Sequence, residues 1–281
     1  MLFSEVADVP KGPKVVAVGS FDGVHLGHQY LLRQALSEAK TLKAPLLVYT
    51  FDPPTKVFTR GEGFLMDLQE KVEALREVGV ELILAVPFNE EFARRPPEAF
   101  LEDLRALQAS RIYVGEDFRF GQGRAGGPEA LERVAPHRVV PLLSLGGEAV
   151  KSSRIRALLR EGRVEEARHL LGRLYGAYGV VVEGDRMGRR LGFPTANVEV
   201  PNAICLPSDG VYAGWYQRPD GSRHACAINL GRRPTFYEHA DHSLLEAHLL
   251  DFAGDLYGEQ ARVQFTHFLR SERKFDGIDA L

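Results

Sequence analysis

The feature that most constrains how this chain can fold is a change of pattern near residues 172–178. Before it, short β-branched or aliphatic runs alternate with stretches whose apolar residues have helical spacing, which predicts a parallel α/β sheet. The predicted strands are Lys14 to Val18, Pro45 to Tyr49, Leu82 to Val86, Arg111 to Val114 and Arg138 to Pro141. The predicted helices are Gln29 to Thr41, Gln69 to Val78 and Pro96 to Leu107.

A last helical stretch, Ser153 to Leu171, is interrupted at Gly162 and ends at Gly172. After Tyr178, short apolar runs separated by Gly, Pro and Asp turns predict a small β-barrel. Its predicted strands are Gly179 to Glu183, Gly210 to Tyr216, His224 to Asn229, Leu244 to Leu250 and Ala261 to Leu269. We therefore expect two domains, 1–172 and 173–281, although 281 residues could also form one large domain.

The composition is that of a globular protein without a membrane span. Hydrophobic residues make up 44% of the chain and charged residues 26%, and no uninterrupted apolar run approaches membrane-spanning length. Cys205 and Cys226 form no CxxC pair, so we expect reduced, packed thiols. The first ten residues lack a basic, apolar leader. Together these features predict a cytoplasmic protein.

The charge balance argues against nucleic acid as a partner. The net charge is −3, with 23 basic and 24 acidic residues in 1–172 and 12 against 14 in 173–281. A duplex-binding surface needs clustered Lys and Arg to displace counterions from phosphates, and neither half is basic. Local basic groups for the phosphates of a nucleotide remain compatible with this balance.

The segment after the first predicted strand has the composition of a phosphate site. It is rich in glycine, carries His25 and His28, and leads directly into the first predicted helix. Glycines let the backbone approach a polyphosphate, a helix N-terminus offers N–H donors, and histidines can donate further hydrogen bonds. An open parallel sheet binds its ligand at this edge. The alternative is that both histidines only cap the helix and complete a turn.

The spacing His25-x-Gly27-His28 resembles the signature of the Rossmann-like nucleotidyltransferase superfamily. Residues 50–53, 114–121 and 152–156 follow in the order found in the adenylyltransferase half of prokaryotic FAD synthetases. The resemblance implies that FMN attacks the α-phosphorus of ATP, with His25, His28 and Arg156 as donors and Mg²⁺ bridging the phosphates. The other binding residues that it implies are Gly19, Phe21, Asp22, Gly23, Gly27, Asp117, Arg119, Ser152 and Ser153. From spacing alone, Asp117 and Arg119 fit a surface ion pair equally well, and Arg156 fits a solvated helix face.

A second glycine-rich segment, residues 184–197, begins the predicted barrel domain. Gly184, Gly188 and Gly192 mark a flexible loop of phosphate size. Thr195 and Asn197 place a hydroxyl and an amide oxygen on the same side of an extended segment, which suits a hard cation that holds ATP phosphates. The sequence GxxxxGK[ST] is absent, so this is not a Walker motif. The alternative is a plain hairpin with a turn-capping asparagine.

This segment resembles the riboflavin kinase signature, and residues 209–212, 230–236 and 246–248 follow in the order of that family. The resemblance implies a six-stranded Greek-key barrel that transfers the γ-phosphoryl group of ATP to the 5′-hydroxyl of riboflavin. Glu246 interrupts an apolar run and is the candidate base for that hydroxyl. Thr195 and Asn197 would hold Mg²⁺ with ATP. The remaining residues implied in this site are Pro194 and Arg233.

The resemblance covers almost the whole chain and predicts an enzyme that uses riboflavin, FMN and ATP; the sequence does not predict its oligomeric state. Three alternatives stay open. Only the kinase could be active, or the chain could be a flavin-binding regulator without catalysis. The third is a zinc site, for which the candidate ligands are His239, His242, Glu246 and His248.

Overall fold

The computed structural model describes residues 1–183, 194–201, 203–232 and 243–272. It contains two compact units, 1–152 and 153–281. The division lies ahead of the boundary expected at residue 172, so the helical stretch after Ser153 groups with the second unit. One reason is that the Leu159 carbonyl oxygen accepts a hydrogen bond of 2.9 Å from the backbone N–H of Ser208.

The first unit contains a six-stranded sheet in the order β1-β4-β3-β2-β5-β6, and every neighbouring pair is parallel. The α/β prediction is therefore confirmed. The strands are β1 (Leu2–Phe3), β2 (Lys14–Val18), β3 (Leu46–Asp52), β4 (Leu82–Pro87), β5 (Ala109–Gly115) and β6 (His137–Val140). The chain passes from β2 to β3 on one side and later to β5 on the other. The carboxyl end of β2 thus lies at the switch point where open α/β sheets bind ligands.

Side chains alternate between the two faces of each strand, so these apolar strands present apolar side chains on both faces of the sheet. Helices cover both faces and bury these side chains. Val15 and Ala17 belong to one apolar core and Val16 and Val18 to the other. The helices are α1 (Leu26–Leu42), α2 (Thr55–Arg60), α3 (Leu68–Val78), α4 (Glu90–Ala93) and α5 (Pro97–Ala106). Shorter elements are the 3-10 turns Val6–Asp8, Gln122–Arg124 and Pro128–Arg133, and the hairpin of β7 (Ser144–Leu145) and β8 (Glu148–Ala149).

Two short helices precede the barrel, namely α6 (Ser152–Arg160), which belongs to the second unit from Ser153 onward, and α7 (Val164–Leu171). They are separated at Gly162, and α7 is followed by Gly172. The φ angles of Gly162 and Gly172 are 74° and 73°, which lie in the left-handed region that glycine tolerates. The predicted interruption and end of this helical stretch are confirmed. The apolar face of α7 packs against the barrel that follows.

The barrel is closed and antiparallel, with the strand order β10-β13-β12-β11-β14-β9. Its strands are β9 (Tyr175–Val182), β10 (Ala196–Glu199), β11 (Gly210–Gln217), β12 (Arg223–Arg232), β13 (Ser243–Leu249) and β14 (Gln260–Arg270). The six-stranded barrel is confirmed. Sequence patterning found five of these strands and missed β10, because a four-residue strand directly after a glycine-rich segment has too few residues to show alternation.

Candidate active sites

The loop after β2 is tightly folded at the carboxyl edge of the parallel sheet. Phe21, Gly23 and Val24 have φ angles of 46°, 84° and 34°, so three residues in close succession adopt left-handed backbone. Asp22 is buried, and its Oδ1 accepts a hydrogen bond of 2.9 Å from the backbone N–H of Leu65. The Asp22 carbonyl oxygen accepts another of 2.9 Å from the Ser152 hydroxyl. Contacts from two later segments therefore fix the shape of this loop.

His25 and His28 lie side by side at the start of α1. Their rings stack with 3.6 Å between centroids, and the edge of His28 meets the Phe21 ring at 5.2 Å. His25 is 4% exposed and caps the helix, because its Nδ1 accepts from the backbone N–H of His28 at 3.3 Å. The capping interpretation of His25 thus holds in the structure. The cap also fixes the relative orientation of the two rings, which a phosphate-binding pair requires.

Gly27 permits this arrangement. A Cβ atom there would lie 3.2 Å from the His25 ring and 3.2 Å from the Val150 carbonyl oxygen, so a larger residue would push the ring aside. Gly19 has a similar role, because a Cβ atom would lie 3.2 Å from the Phe21 ring. Both glycines therefore allow close packing around the loop.

The end of β3 lies beside this loop and is joined to it by polar contacts. The buried Thr50 hydroxyl donates to the Ser20 carbonyl oxygen at 3.1 Å, and the Ser20 and Thr55 hydroxyl oxygens lie 2.9 Å apart. The Phe51 carbonyl oxygen accepts a hydrogen bond of 2.7 Å from Lys71 of α3. Burial lowers the pKa of Lys71 to about 8, although Asp22 and Asp52 act in the opposite direction. Sequence reasoning missed Lys71, and its one signal was a lysine among the apolar positions of a predicted helix.

The third predicted segment follows β5 at the same edge. Asp117 and Arg119 are both exposed. Arg119 donates to the Phe118 carbonyl oxygen at 2.6 Å, and the Asp117 carbonyl oxygen accepts from Arg124 at 3.3 Å. The side chains of Asp117 and Arg119 therefore point into solvent at the ligand edge.

An aromatic cluster that sequence reasoning did not single out lies at the ends of β3 and β4. Phe88 contacts Phe51, Phe58 and Phe92, with ring centroids 5.5 to 5.6 Å apart. Phe58 is 40% exposed, so the cluster is open to solvent at this ring. An open aromatic surface beside the predicted phosphate loop can accept a flat, conjugated ring.

The last predicted residues of this site lie at the start of α6. Ser152 belongs to the first unit and holds the Asp22 carbonyl, as described above. Ser153 is exposed and Arg156 is 1% exposed, and both belong to the second unit. Their grouping with His25 and His28 stays a prediction.

The barrel carries a row of polar side chains across three strands. Asn197 of β10 lies directly opposite Glu246 of β13, and Glu246 lies directly opposite Asn229 of β12. The flanking pairs, such as Val198 with Leu245, are buried in the barrel interior. Because side chains alternate along a strand, the polar row faces outward. Asn197 is 8% exposed, and Glu246 is half-buried. Sequence reasoning missed Asn229, which ended a predicted strand without any motif.

His248 anchors the segment that leads into this row. One ring nitrogen, Nδ1, lies 2.8 Å from the Pro194 carbonyl oxygen, which ties residues 194–197 to β13. Thr195 is half-buried just before β10. Other predicted residues, namely Gly184, Gly188, Gly192, Arg233, His239 and His242, lie outside the described residues. Within the described part of the chain, no three His, Cys, Asp or Glu side chains are grouped to hold a metal ion.

Comparison with known proteins identifies both halves of the chain. Residues 9–154 match the family model for FAD synthetase, and residues 171–281 match the family model for riboflavin kinase. The chain belongs to the bifunctional riboflavin kinase/FMN adenylyltransferase family. The two matches leave residues 155–170, most of the short helices, between them.

Curated relatives support this membership over nearly the full length. The bifunctional riboflavin kinase/FMN adenylyltransferase of Listeria monocytogenes is 36% identical over 278 residues, which cover 95% of this chain and 88% of that protein. Its Escherichia coli K12 counterpart is 34% identical over 290 residues, which cover 98% and 90%. The enzyme therefore phosphorylates riboflavin to FMN and adenylylates FMN to FAD, with ATP as the second substrate of each reaction.

A solved structure shares the same fold. The crystal structure of a Streptococcus pneumoniae protein described as a macrolide-efflux protein has a TM-score of 0.88 and 29% sequence identity, and the match covers 99% of this chain and 93% of that one. No helix among the described residues of the present chain is long and apolar enough to cross a membrane. The assignment of function rests on the family models and the curated relatives.

Proposed function

We propose that FMN adenylylation takes place at the carboxyl edge of the parallel sheet and riboflavin phosphorylation on the outer face of the barrel at Glu246. The observation that carries the second assignment is the register of β10 and β13, which sets Glu246 directly opposite Asn197. A carboxylate beside an amide oxygen suits a site that takes a proton next to metal-bound phosphates.

In the first site, an oxygen of the FMN phosphate forms a bond to the α-phosphorus of ATP while the bond to the leaving pyrophosphate breaks. This chemistry needs no covalent enzyme intermediate, so catalysis comes from alignment and charge neutralisation. His25 and His28, whose relative orientation the helix cap fixes, donate to the phosphates. Arg156 is proposed as a further donor because the family resemblance implies it. Gly23 lets the backbone approach the phosphates, whereas Gly19 and Gly27 leave room for the Phe21 and His25 rings. Asp22 acts through the shape of its loop, because its carboxylate accepts a hydrogen bond from the backbone N–H of Leu65.

Five further residues complete the proposed site, by contact with the ligand or by support of the loop. Asp117 and Arg119 are exposed after β5, where they can reach a ligand at the sheet edge. Ser152 holds the loop through the Asp22 carbonyl, and Ser153 is exposed at the start of α6. Phe21 packs against His28 and so supports the histidine pair.

The isoalloxazine ring of FMN is proposed to pack on the aromatic cluster around Phe88. The support is that Phe58 is exposed while its ring lies 5.5 Å from Phe88. Replacing Phe58 with Ala should raise the KM for FMN in adenylylation and leave the KM for ATP unchanged. An unchanged KM for FMN would exclude this position for the ring.

In the barrel, the residues present fit Mg²⁺. Thr195 and Asn197 offer a hydroxyl and an amide oxygen two residues apart, and hard oxygen donors are what this ion prefers. When bound, Mg²⁺ supplies neutralisation of the ATP phosphate charge. Glu246 accepts the proton of the riboflavin 5′-hydroxyl as that oxygen attacks the γ-phosphorus. Asn229, opposite Glu246 on the other side, can hold the carboxylate in place.

A magnesium titration tests this assignment. The Asn197→Ala variant should need a higher Mg²⁺ concentration for half-maximal phosphorylation of riboflavin, because one oxygen ligand is lost. The same preparation supplied with FMN provides the control, since adenylylation should keep its wild-type Mg²⁺ dependence. A parallel change in both reactions, or in neither, would contradict the proposal.

The domain limits 1–172 and 173–281 and a cytoplasmic location also stay proposals. The family matches that end at residue 154 and begin at residue 171 support a boundary near 172, whereas the compact units divide at Ser152. The cytoplasmic proposal is supported by Cys205 and Cys226, which are buried and form no disulfide.

A further inference from the structure

Lys71 is a buried cation that the proposed mechanism does not use. It lies on α3 with 0% exposure, and its Nζ donates a hydrogen bond of 2.7 Å to the Phe51 carbonyl oxygen. Taking an ammonium group out of water is costly unless opposite charge or hydrogen bonds compensate it. A lysine buried in such a position is therefore a candidate for a role in the neighbouring site.

Two carboxylates from two different segments act on this ammonium group. Asp22 belongs to the loop after β2, and Asp52 is the last residue of β3; each raises the pKa of Lys71. Desolvation is the larger effect and lowers that pKa to about 8. Glu70, the charged neighbour on α3, is engaged in a capping box with Asp67 at the start of the helix. The ammonium group thus compensates negative charge from the two segments that border the proposed phosphate site.

We propose that Lys71 is a positioning residue for adenylyl transfer, and that its ammonium group sets the loop 19–25 and the turn after β3 in their working arrangement. The inference rests on the proposed placement of adenylylation at this sheet edge. Lys71 acts through its hydrogen bond to the Phe51 carbonyl and through the attraction between its charge and that of Asp22, and it does not itself touch the reacting atoms.

The charge of Lys71 matters as well as its packing. A neutral amine could keep the hydrogen bond to Phe51, but it would remove a positive charge that acts on Asp22 and Asp52. A site with one positive charge fewer attracts the phosphates of ATP and FMN less strongly. The rate of adenylylation should therefore fall as the pH rises through about 8, the pKa of Lys71.

Lys14 offers a matched control because it is a second buried lysine on the same sheet. It is 2% exposed at the amino end of β2, and its Nζ donates to the Gly12 carbonyl oxygen at 2.7 Å. Burial, together with Lys11, also lowers the pKa of Lys14. Its position is at the edge opposite the histidine loop, so it shares the burial of Lys71 without the contact to the site.

The test compares pH profiles of both reactions in full-length wild type and in the variants Lys71→Met, Lys71→Arg and Lys14→Met. The wild type should lose adenylylation rate above pH ~8, and Lys71→Arg should move this alkaline limb upward, because an arginine stays charged. At neutral pH, Lys71→Met should lower kcat for adenylylation about 10- to 100-fold, as expected for a misplaced reacting group. Lys14→Met should keep the wild-type profile, and riboflavin phosphorylation should be unchanged in all four proteins.

A flat wild-type profile between pH 7 and 9.5 would overturn the proposal without any variant, as would wild-type kcat in Lys71→Met. A drop of equal size in Lys14→Met would show that any buried lysine has this effect, and would overturn it too. His28→Ala distinguishes an error in the placement of the site from an error in the role of Lys71. Full adenylylation in His28→Ala would reject the proposed site itself, whereas its loss there combined with wild-type behaviour of both Lys71 variants would reject only the role of Lys71.

Discussion

The two units bring their functional residues together in different ways. In the first unit the candidate residues follow β2, β3 and β5, and side-chain hydrogen bonds such as that from Thr50 of β3 to Ser20 join these segments. In the barrel, Asn197, Asn229 and Glu246 lie on strands, and the register of the backbone ladder sets them side by side. A loop site can thus be altered through one polar contact, whereas a ladder site changes when the register or the barrel changes.

The largest effect is expected from the loss of the carboxylate in the barrel. Glu246→Gln keeps the size of the side chain but cannot accept the proton of the hydroxyl, so riboflavin phosphorylation should fall about 10²- to 10⁴-fold. Adenylylation of supplied FMN should keep its wild-type rate. Chromatographic separation of riboflavin, FMN and FAD measures both reactions.

Glu199→Gln is the matched control for this variant. Glu199 is exposed on the neighbouring strand β10, and the substitution should leave both reactions unchanged. If Glu246→Gln phosphorylated riboflavin at the wild-type rate, another group would have to be the base.

The next effect in size is expected from the loss of a histidine at the edge of the parallel sheet. His28→Ala removes one donor to the phosphates and should slow adenylylation about 100-fold, which is the usual cost of losing one stabilising donor in a transition state. Riboflavin phosphorylation should not change. His137→Gln, at the amino end of β6, is the control and should preserve both rates.

A third, smaller effect is expected on the stability of the barrel. A Cβ atom on Gly214 would lie 2.2 Å from the Gln264 carbonyl oxygen and 2.3 Å from the side chain of Ile228, so Gly214→Ala should overpack the barrel. We expect it to lower the free energy of unfolding of the barrel by about 1–3 kcal/mol. Urea unfolding followed by the fluorescence of Trp215, the single tryptophan of the chain, measures this. An unchanged midpoint would contradict the close packing inferred here.

The smallest effect concerns the pH dependence of stability in the first unit. The pKa of Lys71 is about 8 in the folded chain, against 10.5 for a lysine in water, the value that applies to the unfolded chain. Between these values the unfolded chain binds more protons, so the stability of the wild type should rise with pH by up to about 1.4 kcal/mol per unit relative to Lys71→Met. The free-energy cost of burying the charged ammonium group is complete below pH 8 and disappears above pH 10.5. Urea titrations of both proteins at pH 7.5 and 9.5, followed by circular dichroism, should show that the wild type gains stability relative to Lys71→Met at the higher pH; an equal difference in stability at the two pH values would contradict the lowered pKa.

Sequence patterning predicted most of this architecture, because it depends on local periodicity. The strand over residues 14–18 and the break at Gly162 are visible in a few neighbouring residues and are confirmed. The neighbours of Glu246 were not predictable, because strand register depends on pairing between segments far apart in sequence. Asn229 therefore emerged only from its place opposite Glu246.

The candidate site in the first unit shows the same division. Its glycine and histidine spacing was readable in the sequence, and so were the segments near residues 52 and 117. The buried supports were not, since a lysine among the apolar positions of a helix does not show its partner, and only the fold places the Phe51 carbonyl beside the Nζ of Lys71. Buried residues that support a site belong to no motif with a fixed spacing, so only the fold reveals them.

The most direct test of two separate sites is a mixing experiment with the variants Glu246→Gln and His28→Ala. Each protein alone should form little FAD from riboflavin and ATP, the first because it makes no FMN and the second because it cannot adenylylate FMN. Mixed in one tube, they should form FAD, since FMN released by His28→Ala becomes the substrate of Glu246→Gln. If either variant alone had lost both activities, so that the mixture stayed inactive, the assignment of the two reactions to separate units would be wrong.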